Sequence, residues 1–269
     1  MLEFIAGPLK LVLGFLVFAA LALGEQANVG RGRPRRRGKR WPLNFTFLVL
    51  GGLLGRILAG VGPVAVALWA NGAGFGLFAL LCVPLWLAMI AGFLVMDLAL
   101  YVQHRGMHEF PALWRLHRAH HTDPTLDVTT AFRFHPGELA ASLVWKSVIA
   151  AGFGMPALAV AVFEIWLLVA ALFTHADVRL PTRVEKLLAW LIATPGVHEQ
   201  HHDRDPDRQR SNYSSGLTLW DRVFGSWRTP PDAGVAALGV HGVSDGLAAD
   251  IARGLVDPIA EDAPYVSDR

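Results

Sequence analysis

Three short strings of histidine are the features of this sequence most able to do chemistry: His104-x-x-x-His108, His117-x-x-His120-His121 and His198-x-x-His201-His202. Residues three and four apart share one face of an α-helix, so each string aims two or three imidazoles at a common point. Imidazole is the commonest metal-binding side chain. Of eleven histidines, ten fall between residues 104 and 202. The two outside the strings are His135, within Arg133-Phe134-His135-Pro136, and His175. The eleventh, His241, reads as an ordinary surface or core histidine. A single ion cannot use ten nitrogens, whereas two ions with five each, or slightly fewer with water, can. Chance clustering of surface histidines does not account for three same-face groups.

Cys82 is the only cysteine, which excludes an internal disulfide, thiolate-bound zinc, iron–sulfur clusters and blue copper. Bis-histidine haem would need isolated histidines inside facing spans, and these cluster at and beyond helix ends. Iron with open positions for O2 fits a nitrogen-rich site beside a bilayer that supplies C–H substrates. The alternative is a membrane-bound zinc hydrolase with Glu199, beside His198, as its base. A third reading, a metal transporter, would require ligands spread through both halves of the membrane. Asp97, Tyr101, His104 and His108 form one stripe, and Asp97 is expected to accept an imidazole N–H so that the other ring nitrogen faces the metal.

These residues need a scaffold, and the composition says of what kind. Apolar types make up 53% of the 269 residues and charged types 17%, and mean hydropathy is +0.39; this is a membrane protein. Apolar stretches at 4–24, 43–69 and 77–102 read as three spanning helices, with Lys10 snorkelling in the first and Pro63 placed to kink the second. Residues 139–173, broken at 152–156, read as a helical hairpin that enters the membrane and returns. The G-x-G string in the break at 71–76 lacks the βαβ setting of a dinucleotide site.

Net charge is only +2, but seven of the ten residues at 31–40 are Lys or Arg. Lying between two apolar segments, this block marks the cytoplasmic side and anionic headgroups, not nucleic acid. The parity of the spans then places every histidine string in the cytoplasm. The expected fold is all-α: about three spanning helices plus a re-entering hairpin, under a cytoplasmic histidine-rich cap at 175–228. We divide this single membrane domain into N-terminal spans and basic loop (1–76), a di-metal core (77–228) and a tail (229–269) to which no chemistry is assigned.

The order H-x-x-x-H, H-x-x-H-H, H-x-x-H-H among spanning helices resembles the fatty acid hydroxylase and sterol desaturase superfamily of membrane di-iron enzymes. Further matching features are Asp97, the string Tyr101 to His108, Phe134-His135-Pro136, Thr194-Pro195, Asn212-Tyr213, Leu219-Trp220-Asp221 and Phe224-Gly225. The resemblance covers roughly residues 41–228. It departs at Ala176-Asp177, Ser214 and Ser226, none of them a ligand position. It implies O2-dependent hydroxylation or desaturation of a lipid such as a fatty acyl chain or sterol. Two irons would be held by His104, His108, His117, His120, His121, His198, His201 and His202, with His135 and His175 matching further family histidines and Asn212 standing behind the ligands. Electrons would come from a separate donor, a cytochrome b5 or a ferredoxin with an NAD(P)H-linked reductase. The setting would be a bacterial inner membrane or an ER-like one, with the site facing the cytoplasm.

Overall fold

The computed structural model describes residues 2–27, 37–231, 234–235 and 237–240. Residues 31–36 of the basic block, His241 and nearly all of the tail lie outside the described residues. The described chain is helical: α1 (Leu2–Ala27), α2 (Arg37–Ile57), α3 (Pro63–Gly72), α4 (Leu77–Leu80), α5 (Leu85–Glu109), α6 (Pro111–His121), α7 (Pro136–Phe153), α8 (Ala157–His175), α9 (Thr182–Leu188), α10 (Pro195–His201), α11 (Pro206–Gln209) and α12 (Leu219–Val223). Pairing between extended segments is limited, among the described residues, to the isolated bridges Ile192–Leu217 and Asp203–Leu238.

Four segments are long and apolar enough to cross a membrane: Gly7–Ala27, Pro63–Leu80, Leu85–Glu109 and Ala157–His175. The single span expected over 43–69 is therefore broken. A 3-10 turn at Ala59–Val61 separates α2 from α3, with Pro63 in the first turn of the new helix; proline's missing N–H and ring bulk favour that position over a helix interior. The third apolar run is also interrupted, since α4 ends at Leu80 and α5 starts after Pro84.

The two helices expected over 139–173 form as α7 and α8 about the break at 154–156, but of the two only α8 is long and apolar enough to cross a membrane. The turn between them carries Gly154 at φ 63, against Gly76 at φ 109, and a Cβ on either glycine would collide with the other turn's backbone. Both positions also need the left-handed backbone that glycine adopts freely. Beside this turn, Met96, Ala150, Met155, Val160 and Phe163 form the core between α5, α7 and α8.

The other end of the bundle is polar and is tied by buried ions. The Glu25 carboxylate, at the end of α1, accepts from Val128 N (2.7 Å) and Asp177 N (3.0 Å). Arg37 and Arg40, expected in a basic loop, form the first turn of α2. Arg37 pairs with Glu25 at 3.0 Å, and Arg40 donates to Asp123 (2.5 and 2.8 Å) and Asp127 (2.8 Å). These two cations thus meet the protein's own carboxylates, because a buried acid requires a partner. Burial raises the Asp123 pKa, but the adjacent Arg40 guanidinium overrides it and holds the carboxyl down at about 2. Lys10 does not simply snorkel: with Lys146 of α7 it meets Glu164 of α8, at 2.9 and 2.5 Å, stitching α1 to the hairpin.

Candidate metal centre

At this polar end α5, α6, α8 and α10 bring nine histidines into two groups. His104, His108, His117, His121 and His201 form the first and His120, His175, His198 and His202 the second; within each group one ligand atom per residue lies within 4.8 Å of the others. The strings do not map one to a group. At 100° per residue, i and i+4 diverge by only 40°, so 104/108, 117/121 and 198/202 stay together. Residues 120 and 201, next to the second member of a pair, turn about 100° away and join the opposite group. His135 belongs to neither group: at the N-cap of α7 its Nδ1 accepts the Gly137 N–H at 3.0 Å.

In the first group three imidazoles are fixed from behind. His104 Nδ1 donates to Tyr213 O (2.6 Å), His117 Nδ1 to Glu138 Oε1 (2.8 Å) and His201 Nδ1 to Ser211 O (2.8 Å). The acceptors settle the tautomer, since a neutral imidazole with its proton on Nδ1 keeps only a lone pair on Nε2. Yet His104 Nε2 lies 3.0 Å from both His117 Nε2 and His201 Nε2. Lone pairs so close repel unless a cation lies among them. Two nitrogens bound at right angles to one ion, with bonds of about 2.1 Å, would be roughly 3.0 Å apart. Buried His108 Nε2, with no protein hydrogen-bond partner, adds another available donor atom.

The second group repeats the pattern. His175 Nδ1 donates to Ala171 O (2.6 Å) and His120 Nδ1 to Arg133 O (3.3 Å). The Nε2 atoms of His120, His175, His198 and His202 follow one another at 3.0, 3.0 and 3.1 Å. Phe134 stacks on His120 at 4.2 Å, and Trp114 lies 5.1 Å from His108 and 5.4 Å from His121; these rings help exclude water. Burial, followed by the mutual repulsion of neighbouring imidazolium charges, holds His120, His121, His198 and His202 well below the usual histidine pKa. Burial also lowers His201, to about 3. All five are neutral at physiological pH, the state a metal requires.

Asp97 does not accept an imidazole N–H, as its stripe suggested. Its Oδ2 accepts from Leu217 N (3.1 Å) and Trp220 Nε1 (2.8 Å), so it orders the segment after the third histidine string. The reason is axial distance: seven residues of α5 put Asp97 about 10 Å below His104. Asn212, expected behind metal ligands, lies beside His104 and His201 through its backbone. At φ 55 it lies between the two carbonyls that hold His201 and His104, and its side chain accepts from Arg228 N (2.8 Å) and donates to Arg228 O (2.9 Å). Glu138 was not singled out from the sequence; an acid in the first turn of an apolar helix, three residues after His135, was the available signal. Glu199 belongs to neither histidine group, lying against Gly234 and lining a cavity in the cap.

With this geometry in view, the sequence comparisons are specific. The fatty acid hydroxylase family model matches residues 89–226, just over half of the chain and inclusive of all nine grouped histidines. The chain belongs to the fatty acid hydroxylase family. It is 29% identical over 177 residues to an ornithine lipid hydroxylase of Rhizobium tropici, covering 63% of this chain and 51% of that protein. To an alkylglycerol monooxygenase of Xenopus tropicalis it is 31% identical, over 50% of this chain and 29% of the relative. To a fatty acid hydroxylase of a Lecanicillium species it is 30% identical, over 52% and 42%. The chain thus spans about half the length, or less, of these curated relatives. No solved structure matches it significantly.

Proposed function

We propose that this protein oxidises a lipid, such as a fatty acyl chain or sterol, by O2-dependent hydroxylation or desaturation at a histidine-held di-iron centre. The carrying observation is the set of Nε2 lone pairs facing one another at 3.0 Å, fixed by donation from Nδ1 on the far side of each ring. His104, His108, His117, His121 and His201 would hold one iron, and His120, His175, His198 and His202 the other; we assign no iron contact to His135. Bound iron would supply the reduction of O2 and the oxidising power needed at a C–H bond.

The protein's own part is positioning. Glu138 and the carbonyls of Tyr213, Ser211 and Ala171 orient the rings and raise their basicity. Trp114 and Phe134 keep the site dry. The helices that carry the site run into the bilayer, so an acyl chain can arrive laterally. Residues 77–228 form this oxidising core, facing the cytoplasm in a bacterial inner membrane or an ER-like one. A separate cytochrome b5 or ferredoxin, with its NAD(P)H-linked reductase, provides electrons. The relatives, an ornithine lipid hydroxylase, an alkylglycerol monooxygenase and a fatty acid hydroxylase, support this reading.

Metal analysis of purified protein, with a Mössbauer spectrum, tests it directly. Two coupled irons per chain and lipid-dependent O2 consumption are expected. Stoichiometric zinc with undiminished turnover under anaerobic conditions would establish the hydrolase alternative instead.

A further inference from the structure

The cap carries an apolar face that the metal centre does not use. Val184, Leu187 and Leu191 lie at helical spacing along and just beyond α9, beside Trp190; Leu219, Val223 and Phe224 lie on and after α12. All are exposed, with Leu187, Trp190, Leu191 and Val223 between 61% and 70% open. The two groups form one platform. Thr218 N donates to Leu191 O (3.2 Å) and Arg222 to Ala189 O (3.0 Å), and the Arg222 guanidinium sits over the Trp190 and Trp227 rings at 4.3 and 3.9 Å.

The depth of this platform identifies what it faces. Leu217 and Trp220 are tied to Asp97, and Tyr101 OH is 2.8 Å from Ser226 Oγ while its ring stacks on Phe224 at 5.3 Å. A Cβ on Gly216 would collide with Asp97 Oδ1 and Trp166 Nε1. Asp97 and Tyr101 lie seven and three residues before His104 on spanning helix α5, and Trp166 nine residues before His175 on α8. At 1.5 Å per residue these anchors sit about 4 to 14 Å below the histidine level, alongside the spans. Exposed Leu94 and Val102 belong to the same spanning helix. Exposed Arg183 and Lys186 occupy α9 beside the leucines. Apolar and aromatic side chains next to cations suit the boundary between acyl chains and phosphates.

We propose that α9 and α12 form a wedge set into the histidine-side leaflet of the bilayer, with Leu187, Trp190, Leu191 and Val223 among the acyl chains and Arg183 and Lys186 at anionic lipid phosphates. The wedge requires the bundle to span the membrane and does not require the centre to hold iron.

The test uses full-length protein in proteoliposomes, with the native cysteine removed (Cys82→Ser) and an environment-sensitive fluorophore placed at Leu187→Cys or, in a second protein, Val223→Cys. Asp207→Cys, on exposed α11 of the same cap, is the aqueous reference. Both wedge labels are expected to be quenched by brominated acyl chains and to respond to aqueous iodide several-fold less than the reference. Adding phosphatidylglycerol to phosphatidylcholine vesicles should deepen the wedge signal, and Arg183→Gln with Lys186→Gln should remove that increment. Iodide quenching equal to the reference would overturn the proposal. So would protection from both quenchers, or cross-linking of two copies through Leu187→Cys, since a protein would then cover this face. Because no readout depends on turnover, an enzymatically silent preparation that shows lipid quenching separates this inference from the functional one.

Discussion

The five-histidine and four-histidine groups share α6 and α10, but α5 completes the first and α8 the second, and the two are held differently. In the first, His104, His117 and His201 each donate from Nδ1 to an acceptor at 2.6 to 2.8 Å. In the second only His175 has so short a tether, His120 reaches its carbonyl at 3.3 Å, and the buried Nδ1 atoms of His198 and His202 have no protein partner, as is true in the first of His121 Nδ1. Partners behind a ligand fix its tautomer and aim and strengthen metal binding, so the first group is the rigid anchor. The second has fewer histidines and looser tethers, so a metal held there would be the more open to an exogenous ligand. A chelator titration should therefore strip the four-histidine site first.

The largest effect expected is from His201→Ala, which removes a nitrogen at the crowded centre of the first group: turnover should vanish and iron content should fall by at least one equivalent. Equal iron content in that variant would break the comparison. Glu138→Ala comes next, since it frees His117 without touching a ligand; iron affinity should drop roughly 10- to 100-fold, selectively at the first site. A matching change at Arg133 O is not accessible to side-chain substitution, so the effect at Glu138 measures the tethering difference.

Acid should act on both groups. In the unfolded chain histidine titrates near pH 6.5, whereas His201 is held at about 3 and its neighbours are also lowered. The folded apoprotein therefore binds fewer protons than the unfolded chain. Stability is fully present above about pH 6.5 and is lost as pH falls from there toward 3, by up to roughly 1.4 kcal/mol per pH unit for each histidine. Thermal melts of the apoprotein across this range check the sign; a melting temperature that rises on acidification would contradict neutral, buried imidazoles.

Smaller effects are expected away from the groups. Asp97→Asn leaves an acceptor but removes its charge from Leu217 N and Trp220 Nε1, and should destabilise by roughly 1–2 kcal/mol with iron content unchanged. His135→Ala should cost about 1 kcal/mol or less through the lost N-cap of α7, again with full iron. Loss of one iron in that variant would return His135 to the ligand set.

Much of this was legible in residue order. Spacing of four marked 104/108, 117/121 and 198/202 as pairs that stay together, whereas the members three apart, 117/120 and 198/201, fall in opposite groups; the hairpin at 139–173 followed from its hydropathy and its glycine-proline break, and the family resemblance pointed to the same residues. What could not be read was partnership between distant residues. Asp97 and His104 share a helix face, which suggested contact, but seven residues of rise separate them. Arg40 looked like one more charge in a basic block, and only folding showed it locked to Asp123 and Asp127.

By itself, then, the sequence determined the local quantities: which segments are apolar and long enough to span, where proline and glycine must interrupt them, and which histidines point the same way. These depend on periodicity along one helix, which is fixed by 3.6 residues per turn. Tertiary structure decided the division into five and four, the placing of His135 outside both groups, the tethering of His117 by Glu138 and the position of α9 and α12 beside the spans. Each of these depends on where one helix lies against another, and that is set by long-range packing and by the requirement that every buried polar group find a partner.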